Sequence, residues 1–175
     1  MKKTFFVPIL SAVILFSINN GISFAGYEEY SQAVEAAKAG DKIFAFMHFR
    51  DIVEHDADSK YREKALFALG EYYFSMSDYN DSFKAFNNLL NQYPNSRMKP
   101  FALFYMYKMA KDTQKTGLTA ELKKQILSWE RVILIFKRSK EHKFKSPMGI
   151  NYRLTHYVDR LEFFIDGKLQ EQVLY

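Results

Sequence analysis

The 175-residue chain contains no cysteine, and this absence removes several kinds of chemistry. Without thiols it can form no disulfide, thiolate metal site, iron–sulfur cluster or cysteine nucleophile, and it has no cysteine for an N-terminal lipid. Proline and glycine are also scarce, with four and seven residues. Because sandwiches and barrels need many tight turns built from these residues, the composition favours helices.

Motifs for catalysis are missing as well. The sequence has no glycine-rich phosphate loop, no Gly-x-Ser-x-Gly and no His-Glu-x-x-His. Only four histidines are present, and His48 and His55 lie two helical turns apart, too far to share one ion. We therefore expect a protein that is not an enzyme and that has no cofactor and no metal site.

The N-terminus is typical of a secretory signal. Lys2 and Lys3 precede a mainly apolar run of 12 residues, and Ser23 and Ala25 match a small-residue cleavage site. A spanning helix needs about 20 apolar residues, so the run is short for a membrane anchor. We predict a signal peptide at residues 1–25, cleaved after Ala25; a retained anchor is the alternative.

The predicted mature chain suits a bacterial periplasm, because small secreted eukaryotic domains usually carry disulfides. Its net charge of +3 is too small to indicate nucleic-acid binding. The charge is unevenly distributed, however. Residues 26–96 carry 7 basic and 12 acidic side chains, a net −5, whereas residues 97–175 carry 16 and 8, a net +8.

An internal repeat of 37 residues runs through the first part of the mature chain. A shift by 37 aligns Asp41 with Asp78, Phe46 with Phe83, Phe49 with Phe86, Ile52 with Leu89, Ser59 with Ser96, and Ala65-Leu66-Phe67 with Ala102-Leu103-Phe104. Apolar positions recur at helical spacing within each unit. We expect each unit to hold two antiparallel helices, with Asp78 capping a second helix that Pro94 ends.

This pattern resembles the tetratricopeptide repeat. The residues that carry the resemblance are Leu69, Gly70, Tyr73, Ser82, Phe86 and Pro94. The segment is most similar to periplasmic members of that family that serve outer-membrane β-barrel assembly and the Tol–Pal system. The resemblance implies an all-α fold, a helical-hairpin repeat solenoid, over residues 26–112.

Residues 113–175 are expected to continue the solenoid as a divergent C-terminal helical pair. The first helix is predicted from Thr119 to Lys137, and the last from Pro147 to Asp166. The buried stripe predicted for the last helix consists of Leu154, Tyr157, Val158, Leu161 and Ile165.

The resemblance also implies a binding surface, because the first helices of tetratricopeptide units line a concave groove. The equivalent positions here are Lys64, Phe67, Glu71, Phe74, Phe101, Phe104, Lys108 and Lys111. Phe67 and Phe104 would offer apolar pockets. Lys108 and Lys111 would accept acidic side chains or a C-terminal carboxylate.

We expect a periplasmic scaffold or adaptor that binds peptide segments or helices of cell-envelope proteins, for example during outer-membrane protein assembly. Oligomeric state is left open. The alternative is a peripheral membrane-surface protein that uses the basic run at residues 137–145, which we expect to be a loop between helices.

Overall fold

The computed structural model describes residues 21–129 and 139–175, with side chains from Gly26 onward. Its helices are α1 (Gly21–Ala39), α2 (Lys42–His55), α3 (Arg62–Ser75), α4 (Tyr79–Gln92), α5 (Lys99–Asp112) and α6 (Thr116–Ser128). Its strands are β1 (Lys140–Lys145), β2 (Asn151–His156), β3 (Arg160–Ile165) and β4 (Lys168–Leu174). Residues 1–20 of the predicted signal peptide lie outside the described residues, and residues 21–25 begin α1.

The six helices pack as consecutive antiparallel hairpins, which confirms the helical repeat. Each hairpin turn contains one residue with a left-handed backbone, at Gly40 (φ 84°), Ser77 (φ 61°) and Gln114 (φ 56°). The N–H of the following residue donates to a carbonyl five residues earlier, over 2.9 Å in all three turns. This is the Schellman ending of a helix, and it recurs every 37 residues.

In each of the first two hairpins, an aspartate caps the N-terminus of the second helix. The side chain of Asp41 accepts a hydrogen bond from the Phe44 N–H (2.9 Å), and that of Asp78 accepts one from the Asp81 N–H (3.2 Å). A short polar side chain at this position satisfies an amide that has no partner within the helix. The predicted cap at Asp78 is confirmed.

Helices α3 and α4 approach closely at Gly70. A Cβ atom on Gly70 would lie only 2.5 Å from ring atoms of Phe86, so only glycine allows this approach. The buried Ser82 hydroxyl donates to the Gly70 carbonyl over 2.9 Å. Three of the residues that carry the repeat resemblance therefore hold one helix pair together.

The expectation of an all-α fold is wrong. The C-terminal segment forms a four-stranded antiparallel sheet with the strand order β1-β2-β3-β4, in place of the predicted helix from Pro147 to Asp166. Val158, expected in the buried stripe of that helix, is 81% exposed in the turn between β2 and β3. The chain is a mixed α+β protein with the sheet after the helical region.

Two patterns explain this outcome. Leu154 and Leu161 are both buried and lie seven residues apart, a spacing that fits two helical turns as well as two strands joined by a turn. Asp166 and Gly167 both have positive φ (46° and 77°), the geometry of a two-residue hairpin turn rather than of a helix end. The Asp166 side chain also accepts a 3.0 Å hydrogen bond from the backbone N–H of Asn151.

Other predictions for this region have mixed outcomes. The helix predicted from Thr119 is present as α6, but it ends at Ser128 rather than Lys137. Residues 130–138 lie outside the described residues. Within the basic run, residues 140–145 form β1, so that part of the predicted loop is a strand.

The core has two clusters. One lies among α1 to α4 around Phe49, Ile52 and Leu69. The other joins α3, α4, α5 and α6 to the inner face of the sheet and contains Leu154 and Phe163. The sheet is therefore fixed to the helices by a shared apolar core rather than attached as a separate unit.

Substitution of Gly70 tests the close approach of α3 and α4. We expect Gly70→Ala to lower the free energy of unfolding by about 1–3 kcal/mol, because the new methyl group overlaps the Phe86 ring. Gly117→Ala in α6 is the matched control, since its Cβ meets nothing within 4 Å. We expect it to leave stability unchanged or to raise it by up to about 1 kcal/mol. Urea denaturation measures both; equal effects would contradict the packing argument.

Candidate functional site

The inner face of the sheet packs directly on α3 and α5. The Phe104 ring stacks on Phe163 with centroids 4.6 Å apart. Phe67 meets Phe144 edge to face at 5.3 Å, and Phe101 lies 5.2 Å from Tyr152. Offset and edge-to-face aromatic pairs contribute about 0.5–1.5 kcal/mol each beyond the area that they bury. The sheet therefore lies over the face of the helices that the sequence indicated as a binding groove.

The eight predicted site residues consequently have different surroundings. The sheet buries four of them: Phe67, Glu71, Phe101 and Phe104. Phe74 is half-buried against Tyr79, and Lys108 is also half-buried. Lys111 is exposed, but its ammonium group pairs with the Glu171 carboxylate of β4 at 2.9 Å. Lys64 is exposed at the edge of the covered region.

Three buried side chains with polar groups, those of Glu71, Tyr105 and Tyr152, form a cluster at this contact. The Tyr152 hydroxyl of β2 donates to Oε1 of Glu71, and it lies 2.6 Å from the Tyr105 hydroxyl of α5. The three side chains come from α3, α5 and β2. Because each must meet the others inside an apolar interface, the cluster fixes the position of β2 against both helices.

Burial raises the pKa of Glu71 to about 8. Hydrogen bonding to Tyr152 and proximity to the Ser146 hydroxyl oppose this shift, and the negative charge of Asp166 adds to it. Oε2 of Glu71 has no hydrogen-bond partner of good geometry among the described residues. Burial also raises the pKa values of Tyr105 and Tyr152. Burial in the apolar interface therefore favours the neutral form of the Glu71 carboxyl group.

A groove of 980 Å³ opens beside this interface, between β1 and the N-terminal ends of α3 and α5. Among the described residues, its charged lining consists of Lys64, Arg97, Lys143 and Lys145 together with Glu63 and Glu141. We call it the basic groove. Its apolar lining consists of Met98, Phe101, Trp129 and Phe144. It thus combines exposed charges with aromatic surface, as binding sites commonly do.

Electrostatics in the basic groove favour an anionic ligand. Glu141 is compensated twice, because it pairs with Lys143 at 2.9 Å and with Arg153 at 3.0 Å. Arg97 and Lys145 form no ion pair within the part of the chain that the structure describes. The Lys64 ammonium lies 5.5 Å from the centre of the Tyr30 ring rather than beside a carboxylate. Cationic groups are therefore available for a ligand.

Sequence reasoning missed most of this groove. Only Lys64 and Phe101 of the eight predicted site residues line it. Lys143 and Lys145 belong to the basic run at residues 137–145, whose charge suits an anionic lipid surface or an acidic partner surface. Trp129 is the single tryptophan of the chain and lies directly after α6. The presence of only one tryptophan in the chain was the sequence signal that could have indicated this position.

Among residues 21–129 and 139–175, one group of potential metal ligands is present, on α2. Ligand atoms of Asp51, Glu54 and His55 lie within 4.8 Å of one another. All three side chains are exposed and come from one helix surface, an arrangement that is common without an ion. We assign no metal site to it.

No protein-family model matches the chain, and no curated protein matches it either. Membership of the tetratricopeptide repeat family is therefore not shown, and what stands is the observed series of antiparallel helical hairpins.

Protonation of Glu71 predicts a specific pH dependence of stability. The pKa is about 8 in the folded protein against 4.5 for an ordinary glutamate, so the folded state holds a proton that the unfolded state releases between these values. The contribution of Glu71 to stability is complete below pH 4.5 and is lost as the pH rises to about 8, at up to about 1.4 kcal/mol per pH unit.

The variant Glu71→Gln removes this titration and keeps an acceptor for Tyr152. We expect its free energy of unfolding to fall less than that of the wild type between pH 5 and pH 8, measured by chemical denaturation at each pH. Glu121→Gln, on the exposed side of α6, is the control and should follow the wild type. Equal pH slopes for wild type and Glu71→Gln would show that Glu71 is ionised in the folded protein.

Proposed function

We propose that this protein is a non-enzymatic adaptor that binds an extended, acidic peptide segment of another protein in the basic groove. The observation that carries the proposal is the groove itself, where Arg97 and Lys145 have no carboxylate partner among the described residues and lie beside the apolar lining formed by Met98, Phe101, Trp129 and Phe144. A peptide with acidic and apolar residues would satisfy both features. Charge complementarity of this kind increases the association rate and selects among partners.

The helical repeat supports a binding role in a second way. Stacked hairpins form an extended scaffold, and proteins built in this way use its surfaces to bind partners. In this chain the appended element is the sheet, which contributes Lys143, Phe144 and Lys145 to the groove. The scaffold contributes Lys64 and Arg97 from the other side. A bound segment would contact both.

The setting that we propose is the bacterial cell envelope. The features of residues 1–25 are typical of an export signal, and the repeat resembles periplasmic tetratricopeptide proteins. The partner would then be an exported or outer-membrane protein with an accessible acidic segment, for example during outer-membrane protein assembly.

A membrane surface fits the groove less well than a peptide. No helix in residues 21–129 or 139–175 has the length and apolar character needed to cross a bilayer, a finding that does not bear on contact with a membrane surface. Lys143 and Lys145 lie along a concave groove that also contains Glu63 and Glu141. A flat layer of anionic headgroups would meet these carboxylates together with the lysines, whereas a peptide can place its own charges selectively.

Trp129 provides a direct assay, because it is the only tryptophan and it lines the basic groove. The probe is a nine-residue peptide in which glutamate alternates with valine and phenylalanine. We expect it to change the fluorescence of Trp129 in a saturable manner, and a version with lysine in place of glutamate to have no effect. Vesicles containing anionic lipid form a separate arm of the experiment.

Charge reversal in the groove tests the assignment. We expect Arg97→Glu to weaken binding of the acidic peptide at least about tenfold, equivalent to about 1.4 kcal/mol. Lys168→Glu is the matched control, because it changes the net charge equally on an exposed residue of β4 that does not line the groove. If both variants bind alike, or if only the vesicles bind, the peptide-adaptor proposal is wrong.

A further inference from the structure

The basic groove follows the free edge of the sheet. Strand β1 is the first in the order β1-β2-β3-β4 and pairs on one side only, with β2, among the described strands. Five consecutive residues, 141–145, line the groove. The face of a strand presents alternate residues, so a surface lined by consecutive residues must run along the edge of the strand. A ligand in the groove therefore lies beside unpaired backbone groups.

The direction of these backbone groups follows from the hairpin that joins β1 to β2. The Ser146 N–H donates to the Ile150 carbonyl over 2.9 Å, which makes these two residues a hydrogen-bonded pair. Antiparallel pairs alternate, so His142 and Phe144 exchange hydrogen bonds with β2. The N–H and C=O groups of Glu141, Lys143 and Lys145 consequently point away from the sheet.

The next strand pair supports the same alternation. The Asp166 N–H donates to the Asn151 carbonyl, and the Tyr157 N–H donates to the Arg160 carbonyl, both over 2.8 Å. Residues at odd positions of β2 therefore bond to β3, and those at even positions bond to β1. Two independent sets of hydrogen bonds thus agree on which groups of β1 face the groove.

We infer that an extended acidic peptide binds in the basic groove as a fifth strand of the sheet, paired with β1. This inference rests on the proposed function and specifies how the peptide is held. The main-chain groups of Glu141, Lys143 and Lys145 provide about six possible hydrogen bonds to the added strand. Lys143 and Lys145 are exposed and lie where acidic side chains of that strand would meet them.

Strand geometry also predicts the pattern of the bound segment. Its side chains would alternate between the two faces of the extended sheet. Those on the inner face would contact the apolar lining near Phe144 and Trp129. Those on the outer face would lie beside Lys143 and Lys145. A segment of about six residues in which acidic and apolar side chains alternate therefore fits both faces.

The two edges of the sheet differ in a way that favours β1. Pairing between β3 and β4 contains a register shift at Phe163 and Phe164, whereas pairing between β1 and β2 is regular over all six residues. Lysines on an edge strand also serve to prevent unwanted sheet-to-sheet association. That role would explain why Lys143 and Lys145 lie on this strand, but it would not explain the apolar lining of the groove beside them.

Proline substitution distinguishes main-chain pairing from side-chain contact. The N–H of Lys143 points outward, so Lys143→Pro removes no hydrogen bond within the sheet, as is typical of proline on edge strands. We expect Lys143→Pro to weaken peptide binding at least tenfold in the Trp129 assay, and Lys143→Ala, which removes only the charged side chain, to weaken it less than threefold. Gln172→Pro makes the same change on the outer edge of β4 and should bind normally.

Amide hydrogen exchange of the wild-type protein provides a second measurement that does not depend on the folding of a variant. With the acidic peptide bound, we expect slower exchange at Glu141, Lys143 and Lys145, while His142 and Phe144 stay unchanged because β2 already protects them.

The results separate the two proposals. If the peptide binds and Arg97→Glu weakens it, but the three outward amides gain no protection and Lys143→Pro binds normally, then strand addition is wrong and the adaptor proposal stands. If the wild type shows no saturable change with the acidic peptide, both proposals are wrong. Protection at the three amides together with loss of binding in Lys143→Pro would support both.

Discussion

The aromatic contact between the sheet and helices α3 and α5 is the constraint on which the rest of the structure depends. A stack of helical hairpins with Phe67, Phe101 and Phe104 on one face would leave a large apolar surface in water. The sheet covers that surface with Phe144, Tyr152 and Phe163 of its own. The face of the helices that carries these rings is consequently part of the core, and the proposed binding surface lies instead at the border between the sheet and the helices.

Apolar packing alone would not fix the sheet in one position, because aromatic faces tolerate small displacements. The polar cluster of Glu71, Tyr105 and Tyr152 adds a positional requirement, since a buried polar group that loses its partner costs about 1–3 kcal/mol. A shift of β2 by one residue would turn Tyr152 to the opposite face of the sheet and break the cluster. Because burial favours the neutral form of the Glu71 carboxyl group, the cluster avoids the free-energy cost of placing a full negative charge in the apolar interface.

The helical region could be predicted from the sequence because its signals are local and repeated. The 37-residue period reappears in the left-handed residues Gly40, Ser77 and Gln114, which each end a helix in the same way. The sheet was missed because Leu154 and Leu161 satisfy a helical period and a pair of strands equally well. The Asp166-Gly167 pair, a dipeptide typical of two-residue hairpin turns, was the available hairpin signal.

The predicted groove residues show a different limit of sequence reasoning. The register of the 37-residue repeat placed Phe67, Glu71, Phe101 and Phe104 on one face of the helices. In the structure these four residues are buried under the sheet, and the repeat alone could not indicate that an element of the same chain covers them. The basic groove depends on contacts between distant parts of the sequence, from Lys64 to Lys145, and exists only when the sheet is docked.

This dependence links binding to the aromatic contact. A ligand that touches both β1 and the helices binds only the docked arrangement, and by mass action it stabilises that arrangement by an amount set by its concentration and affinity. Conversely, any change that loosens the sheet lowers the fraction of molecules able to bind and weakens the apparent affinity in proportion. The packing of Phe104 on Phe163, although neither residue lines the groove, would thereby contribute to how tightly the groove holds the proposed peptide.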